Sequence, residues 1–253
     1  MQRHGKPGNS AAAVSAALRR LASKRRARHS ARFFKTGAGE YAEGDRFIGV
    51  TVPAQRRLAK RFGDLPLAET TKLLRSSIHE ERLVALFILV HQYDHADQTG
   101  RLALHHLYLR HTGFVNNWDL VDSSAEYLVG PHIVGGSRVL LRRLARSKSL
   151  WERRIAMLAT FHCIKRGRAG EALWVARELL RDRHDLIHKA VGWMLREVGK
   201  RVDPRQLSGF LARHGTAMPR TMLRYAIERL PVAQRKRYLR RPEVLTRPTR
   251  TPR

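Results

Sequence analysis

The chain has 253 residues, 43% of them hydrophobic and 28% charged, with a formal net charge of +29. That apolar share is enough for a buried core, which excludes a disordered basic chain, and the single cysteine, Cys163, excludes an internal disulfide and fits a reducing compartment. A pI near 11.6, with 40 of the 50 basic residues Arg, points to a polyanionic partner, nucleic acid ahead of an anionic membrane.

In chain order, residues 1–9 combine Gly, Pro and charge and read as a mobile basic tail, too polar for a secretory signal. A single domain is expected over residues 10–239. Lys35-Thr36-Gly37-Ala38-Gly39-Glu40 has the glycines of a phosphate cradle but lacks its Gly-Lys-Ser/Thr ending and the strand before it. Phe47–Val52 is the one candidate strand, and it ends in Pro53. Glu81–Leu89, Arg154–Ala159 and Ala190–Leu195 carry apolar residues at helical spacing. His91 and His95 have the spacing of helical metal ligands but no third ligand beside them, so no metal and no cofactor is expected. Residues 240–253 alternate Arg, Pro and Thr and read as a disordered basic tail. No apolar run reaches the length of a membrane span, so no membrane partner is expected and the protein reads as cytoplasmic, at the nucleoid through DNA binding.

The helical segments repeat. Small anchors at Ala85, Ala125, Ala156, Ala190 and Ala226 are separated by 40, 31, 34 and 36 residues, within the range of helix-pair repeats. The expected fold is all-α: a HEAT-like α-solenoid of stacked antiparallel helix pairs with a concave basic face, acting as a monomer.

Asn116-Asn117-Trp118-Asp119-Leu120-Val121-Asp122 stands out within this pattern. On a helix, Trp118 and Asp122 are four residues apart and share one surface. A carboxylate in a cationic groove is either a structural ion pair or a reactive group. Asp119 suits the first turn of the helix behind Asn116. Large aromatics on helices are more often core than functional, and Trp151 and Trp174 are read as core.

Four blocks together resemble the AlkD-like DNA alkylation repair proteins, which are HEAT-like DNA glycosylases. Phe33-Phe34-Lys35-Thr36-Gly37-Ala38-Gly39-Glu40-Tyr41, continued by Gly44-Asp45-Arg46-Phe47-Ile48-Gly49-Val50-Thr51-Val52-Pro53, is similar to an N-terminal signature of that family. Asn117–Asp122 is similar to its active-site helix. Trp151-Glu152-Arg153-Arg154 resembles its Trp-x-x-Arg motif, and Lys189–Glu197 its second aromatic helix.

The resemblance implies excision of N3- and N7-alkylated purines, chiefly 3-methyladenine and 7-methylguanine, from double-stranded DNA in base excision repair, without deep base flipping. It implies Asp122 as the catalytic carboxylate, Trp118 and Trp193 as flanking indoles, and Arg154 on the backbone phosphate. Arg153 is the alternative for that last role, and the plain readings of Arg154 are one more phosphate contact or a partner for Asp122. Lys189, Lys35 and Arg46 complete the expected DNA contacts. With no obvious catalytic Lys for a lyase step, the expected enzyme is monofunctional. A non-catalytic HEAT-like protein that binds bent, branched or damaged DNA is the alternative, and a protein-binding scaffold the third reading, opposed by the net charge of +29.

Overall fold

All regular structure among the described residues, 9–135 and 138–240 of a computed structural model, is helical. The expected tails, residues 1–9 and 240–253, lie outside this description apart from Asn9 and Arg240. The first half runs α1 (Ala11–Arg20), α2 (Lys24–Phe33), α3 (Val52–Arg61), α4 (Leu67–Leu74), α5 (His79–His95), α6 (Gln98–Arg110), α7 (Trp118–Asp122) and α8 (Ala125–Leu128). The second runs α9 (Val139–Ala145), α10 (Leu150–Ala159), α11 (Phe161–Ile164), α12 (Gly170–Glu178), α13 (Asp185–Arg201), α14 (Pro204–His214), α15 (Arg220–Ala226) and α16 (Val232–Leu239).

Local chemistry starts these helices where the sequence does. Asp97 accepts from the Gly100 N–H at 2.7 Å and opens α6; Asp203 accepts from the Arg205 N–H at 2.7 Å and opens α14, which has Pro204 in its first turn. Such side-chain oxygens satisfy backbone donors that have no partner inside the helix.

Packing follows the chain. Helix α5 meets α3 and α4 on one side and α8 on the other; α8 meets α10, α10 meets α13, and α13 meets α15. The anchors Ala85, Ala125, Ala156, Ala190 and Ala226 sit on these successive helices and are all buried. Small side chains at these contacts let neighbouring backbones approach closely. Gly192 is the extreme case: a methyl group there would fall 2.5 Å from the Met222 carbonyl oxygen and 2.5 Å from the Tyr225 Cβ. That places α15 directly against α13, one residue from Trp193.

Phe47–Val52 forms no strand. An isolated bridge joins Arg46 to Ile78, and on the way to α3 the Ile48 carbonyl accepts from the Ser23 N–H at 2.9 Å without forming a strand. The amides of the segment are satisfied by a side chain instead: the buried Glu80 carboxylate accepts from the N–H groups of Ile48 at 3.1 Å, Gly49 at 2.7 Å and Val50 at 3.3 Å. One buried carboxylate on α5 thus replaces a neighbouring strand.

Candidate functional site

The site is built on a single helical turn. Asn117, rather than Asn116, caps α7 by accepting from the Trp118 N–H at 2.8 Å, and Asp119 occupies the first turn. Trp118 and Asp122 are the first and last residues of that turn, while Leu120 and Val121 are buried beneath it. The apolar pair fixes which way the turn faces.

Asp122 meets Arg154 of α10, a helix buried over most of its surface. The Arg154 Nε donates to Asp122 Oδ1 at 2.9 Å, its Nη2 to Oδ2 at 2.7 Å, and its Nη1 to the Leu186 carbonyl at 2.6 Å. Only 6% of the Arg154 side chain is exposed, against 18% for Asp122. Arg154 therefore does not present its guanidinium to a phosphate, as the sequence suggested; it turns inward and holds the carboxylate. The bidentate fork fits a carboxylate far better than a lone ammonium would. Burial pushes the Asp122 carboxyl above its ordinary range, the Arg154 charge pulls it back, and the Asp119 charge adds to the rise.

Trp118, Asp122, Arg154, Trp193, Lys35 and Lys189 line one open cavity of about 730 Å³. The wall also includes Phe33, Tyr41 and Tyr225. A second cavity, of about 460 Å³, lies alongside and shares Trp118 and Asp122, with Arg56 and Lys60 on its rim. Lys189 pairs with Asp185 at 2.7 Å, one helical turn away, and both side chains stay accessible to water. Its pKa is raised, first by that hydrogen bond, against the opposing effect of burial.

Two expected DNA contacts stand apart from this cavity wall. Arg153 donates to Asp182 at 2.6 Å and to the carbonyls of Ser147 and Lys148 at 3.0 Å each, so it ties down the start of α10. Arg46 is exposed at the Ile78 bridge, outside the wall. Trp174 is buried as expected, whereas Trp151 is half-buried and meets the Tyr41 ring edge-on, with centroids 6.1 Å apart.

Sequence reasoning missed the support beneath Trp118. His79, 2% exposed, donates from Nδ1 to Asp45 Oδ2 at 3.0 Å and from Nε2 to Asp119 Oδ2 at 2.8 Å. Burial alone would lower its pKa, but the two carboxylates, Asp119 above all, outweigh it and raise the pKa to about 9. Asp45 is also bonded by Arg82 and, at 3.0 Å, by the Asn117 amide. Burial works against its ionisation, yet the His79 hydrogen bond and the Arg82 charge hold its pKa low. Above this network Phe34 stacks on Trp118 at 5.2 Å and Phe47 on His79 at 4.4 Å. The 33–47 segment and α5 together lock the α7 turn from below. Its partners lie 34, 40 and 72 residues apart, so no local spacing in the sequence marks it.

A carboxylate with fixed orientation, two half-buried indoles and flanking cations can stabilise positive charge developing on a ligand bound beside a phosphate backbone. Among the described residues, no helix is long and apolar enough to cross a membrane.

Comparison with known proteins gives the same direction. No curated protein matches the chain. Among solved structures it is similar to a predicted DNA alkylation repair enzyme from Enterococcus faecalis, at 15% identity and a TM-score of 0.65, with 84% of this chain and 98% of that one covered. At that identity the likeness speaks for the fold. The family model described as DNA alkylation repair enzyme matches residues 14–230. The chain belongs to the DNA alkylation repair enzyme family, and its role lies in the repair of alkylated DNA.

Proposed function

We propose that the protein is a monofunctional DNA glycosylase that releases cationic N3- and N7-alkylated purines from duplex DNA and leaves an abasic site. The observation that carries this reading is the Asp122 carboxylate, clamped by Arg154 and opening into a groove whose wall includes Trp118 and Trp193. An alkylated purine already bears positive charge, so its glycosidic bond breaks with the electron pair leaving on a neutral base. Positive charge then develops on the deoxyribose. Asp122 stabilises that charge and orients the water that attacks C1′; the water keeps one proton as the new C1′ hydroxyl and releases the other to solvent. The indole faces favour the same cationic character.

Arg154 serves this chemistry indirectly. It favours the ionised form of Asp122 against the effect of burial and stops its rotation. Lys35 and Lys189 contact phosphates at the groove edge, and the serial helix stack gives a HEAT-like solenoid whose basic concavity takes the duplex. Because the cavity is open, the base need not be drawn into a deep pocket.

The test is incubation with methylated duplex DNA, followed by chromatography of the released material. Free 3-methyladenine and 7-methylguanine, with alkali-labile abasic sites left behind, are expected. Tight binding with no released base would instead assign the protein to the non-catalytic binders of damaged DNA.

A further inference from the structure

We propose that His79 is a positioning residue for excision: its imidazolium cancels the charge of Asp119, so that this carboxylate does not oppose the ionisation of Asp122 on the same turn. The inference rests on the glycosylase reading, in which the ionised form of Asp122 is the reactive one.

Asp119 and Asp122 are three residues apart on α7, which makes them neighbours on a helix, and both reach the wall of the smaller cavity. Two carboxylates at that spacing disfavour each other's ionisation, and the Asp119 charge adds to the rise in the Asp122 pKa. Each is met by its own buried cation from a different neighbouring helix. Arg154 of α10 takes Asp122, and His79, the first residue of α5, takes Asp119 at 2.8 Å. The other Asp119 oxygen accepts from the Leu120 N–H at 2.9 Å, so this carboxylate is held through both oxygens.

The geometry of His79 fixes its charge. Nδ1 faces Asp45 and Nε2 faces Asp119, and only the doubly protonated ring donates to a carboxylate from both nitrogens. Phe47 stacks on the ring and Phe34 lies 5.1 Å away between centroids, leaving the imidazole buried and out of reach of any substrate. His79 therefore acts only through its partners. Asp45 is shared with Arg82, so two cations balance two acids, and loss of the His79 charge leaves Asp119 as the unmatched acid.

Other titratable groups also face Asp122. The Tyr108 hydroxyl of α6 is near enough to feel its charge. Across the two cavities stand Lys35, Glu40 and Tyr41, Arg56 and Lys60 of α3, His91 and Asp94 of α5, Tyr127 of α8, His184, Asp185, Lys189 and Arg196 of α13, and Tyr225 of α15. Among the described residues none of these hydrogen-bonds to Asp119, so variants confined to His79 and Asp119 leave their contributions in place.

The experiment is single-turnover release of 7-methylguanine from methylated duplex between about pH 4 and 8, corrected for enzyme-free depurination. It compares the wild-type protein with His79→Gln, Asp119→Asn and the double variant, with circular dichroism at each pH. In parallel, carboxyl-carbon NMR titrates Asp122 in the free protein, its resonance assigned through Asp122→Asn. His79→Gln should move the acid limb of release and the NMR midpoint upward by about 1 pH unit, a roughly tenfold loss on the limb, with the plateau held within a few-fold. Adding Asp119→Asn should bring both back to within a few tenths of the wild type. Asp119→Asn alone should leave both in place or lower them, and this expectation stands even where His79→Gln does not fold. A merely structural His79 would lower the plateau without moving the limb, and the second substitution would worsen it. An unmoved limb or midpoint in folded His79→Gln, a double variant displaced as far as the single one, or an upward shift in Asp119→Asn would overturn the proposal. If the wild-type protein releases no base, the glycosylase reading fails, and the NMR midpoints decide the role of His79 by themselves.

Discussion

Arg154 grips both oxygens of Asp122, Nε to Oδ1 at 2.9 Å and Nη2 to Oδ2 at 2.7 Å, across 32 residues of sequence. This pairing sets the character of the site. The carboxylate is fixed in direction, and the Arg154 charge opposes the rise in its pKa that burial causes, while the guanidinium is itself engaged by Asp122 and the Leu186 carbonyl. Breaking the pair from the arginine side should cost about 3–5 kcal/mol of stability, because a buried charge is left without its partner. Arg154→Ala should therefore lower the unfolding midpoint and the excision rate while leaving the salt slope of duplex binding unchanged. A shallower slope in the folded variant would place Arg154 on a phosphate after all.

The His79 network makes a distinct prediction about pH. Its folded pKa of about 9 lies above the ordinary histidine value of 6.5. The imidazolium's contribution is therefore complete below about pH 6.5 and is lost as pH rises through about 9, a change of roughly 3 kcal/mol. Urea unfolding at several pH values between 6 and 9.5 checks this. The protein should lose stability over that window, and His79→Gln should be less stable at pH 6 but much flatter in its pH dependence. Parallel curves for the two would contradict the assignment.

Gly192 and Gly209 form a matched pair of tests. Gly192→Ala drives a methyl group into the α15 backbone, so a loss of about 1–3 kcal/mol is expected, together with slower excision as Trp193 and Tyr225 shift. Gly209, inside α14, meets nothing closer than the Arg213 Nη2 at 3.8 Å. There Ala should stabilise by up to about 1 kcal/mol through helix propensity alone. Thermal unfolding of both variants measures the contrast, and equal effects would deny the close α13–α15 contact.

The parts of the site legible in the sequence were those with local spacing. Trp118 and Asp122 share one turn, and the helical period placed Ala85, Ala125, Ala156, Ala190 and Ala226 on successive packed helices. What escaped was direction and distance. Nothing in Glu152-Arg153-Arg154 says which guanidinium turns inward; that follows from the burial of α10 on the Arg154 side, where Asp122 is the available anion. Asp45, His79 and Asp119 come together only once the chain is folded. Phe47–Val52 has strand-like composition, but Glu80 supplies its hydrogen bonds, and a side chain doing the work of a strand leaves no periodicity to read.

The most direct test of the central claim is single-turnover release of 3-methyladenine and 7-methylguanine from methylated duplex by the wild-type protein and by Asp122→Asn, with DNA affinity measured in parallel. Asn keeps the shape of the side chain and an acceptor for Arg154 while removing the charge. The expected result is a fall of about 100-fold or more in the release rate, with affinity retained or slightly raised. Release at the wild-type rate, or an equal loss of binding and release, would contradict a catalytic Asp122.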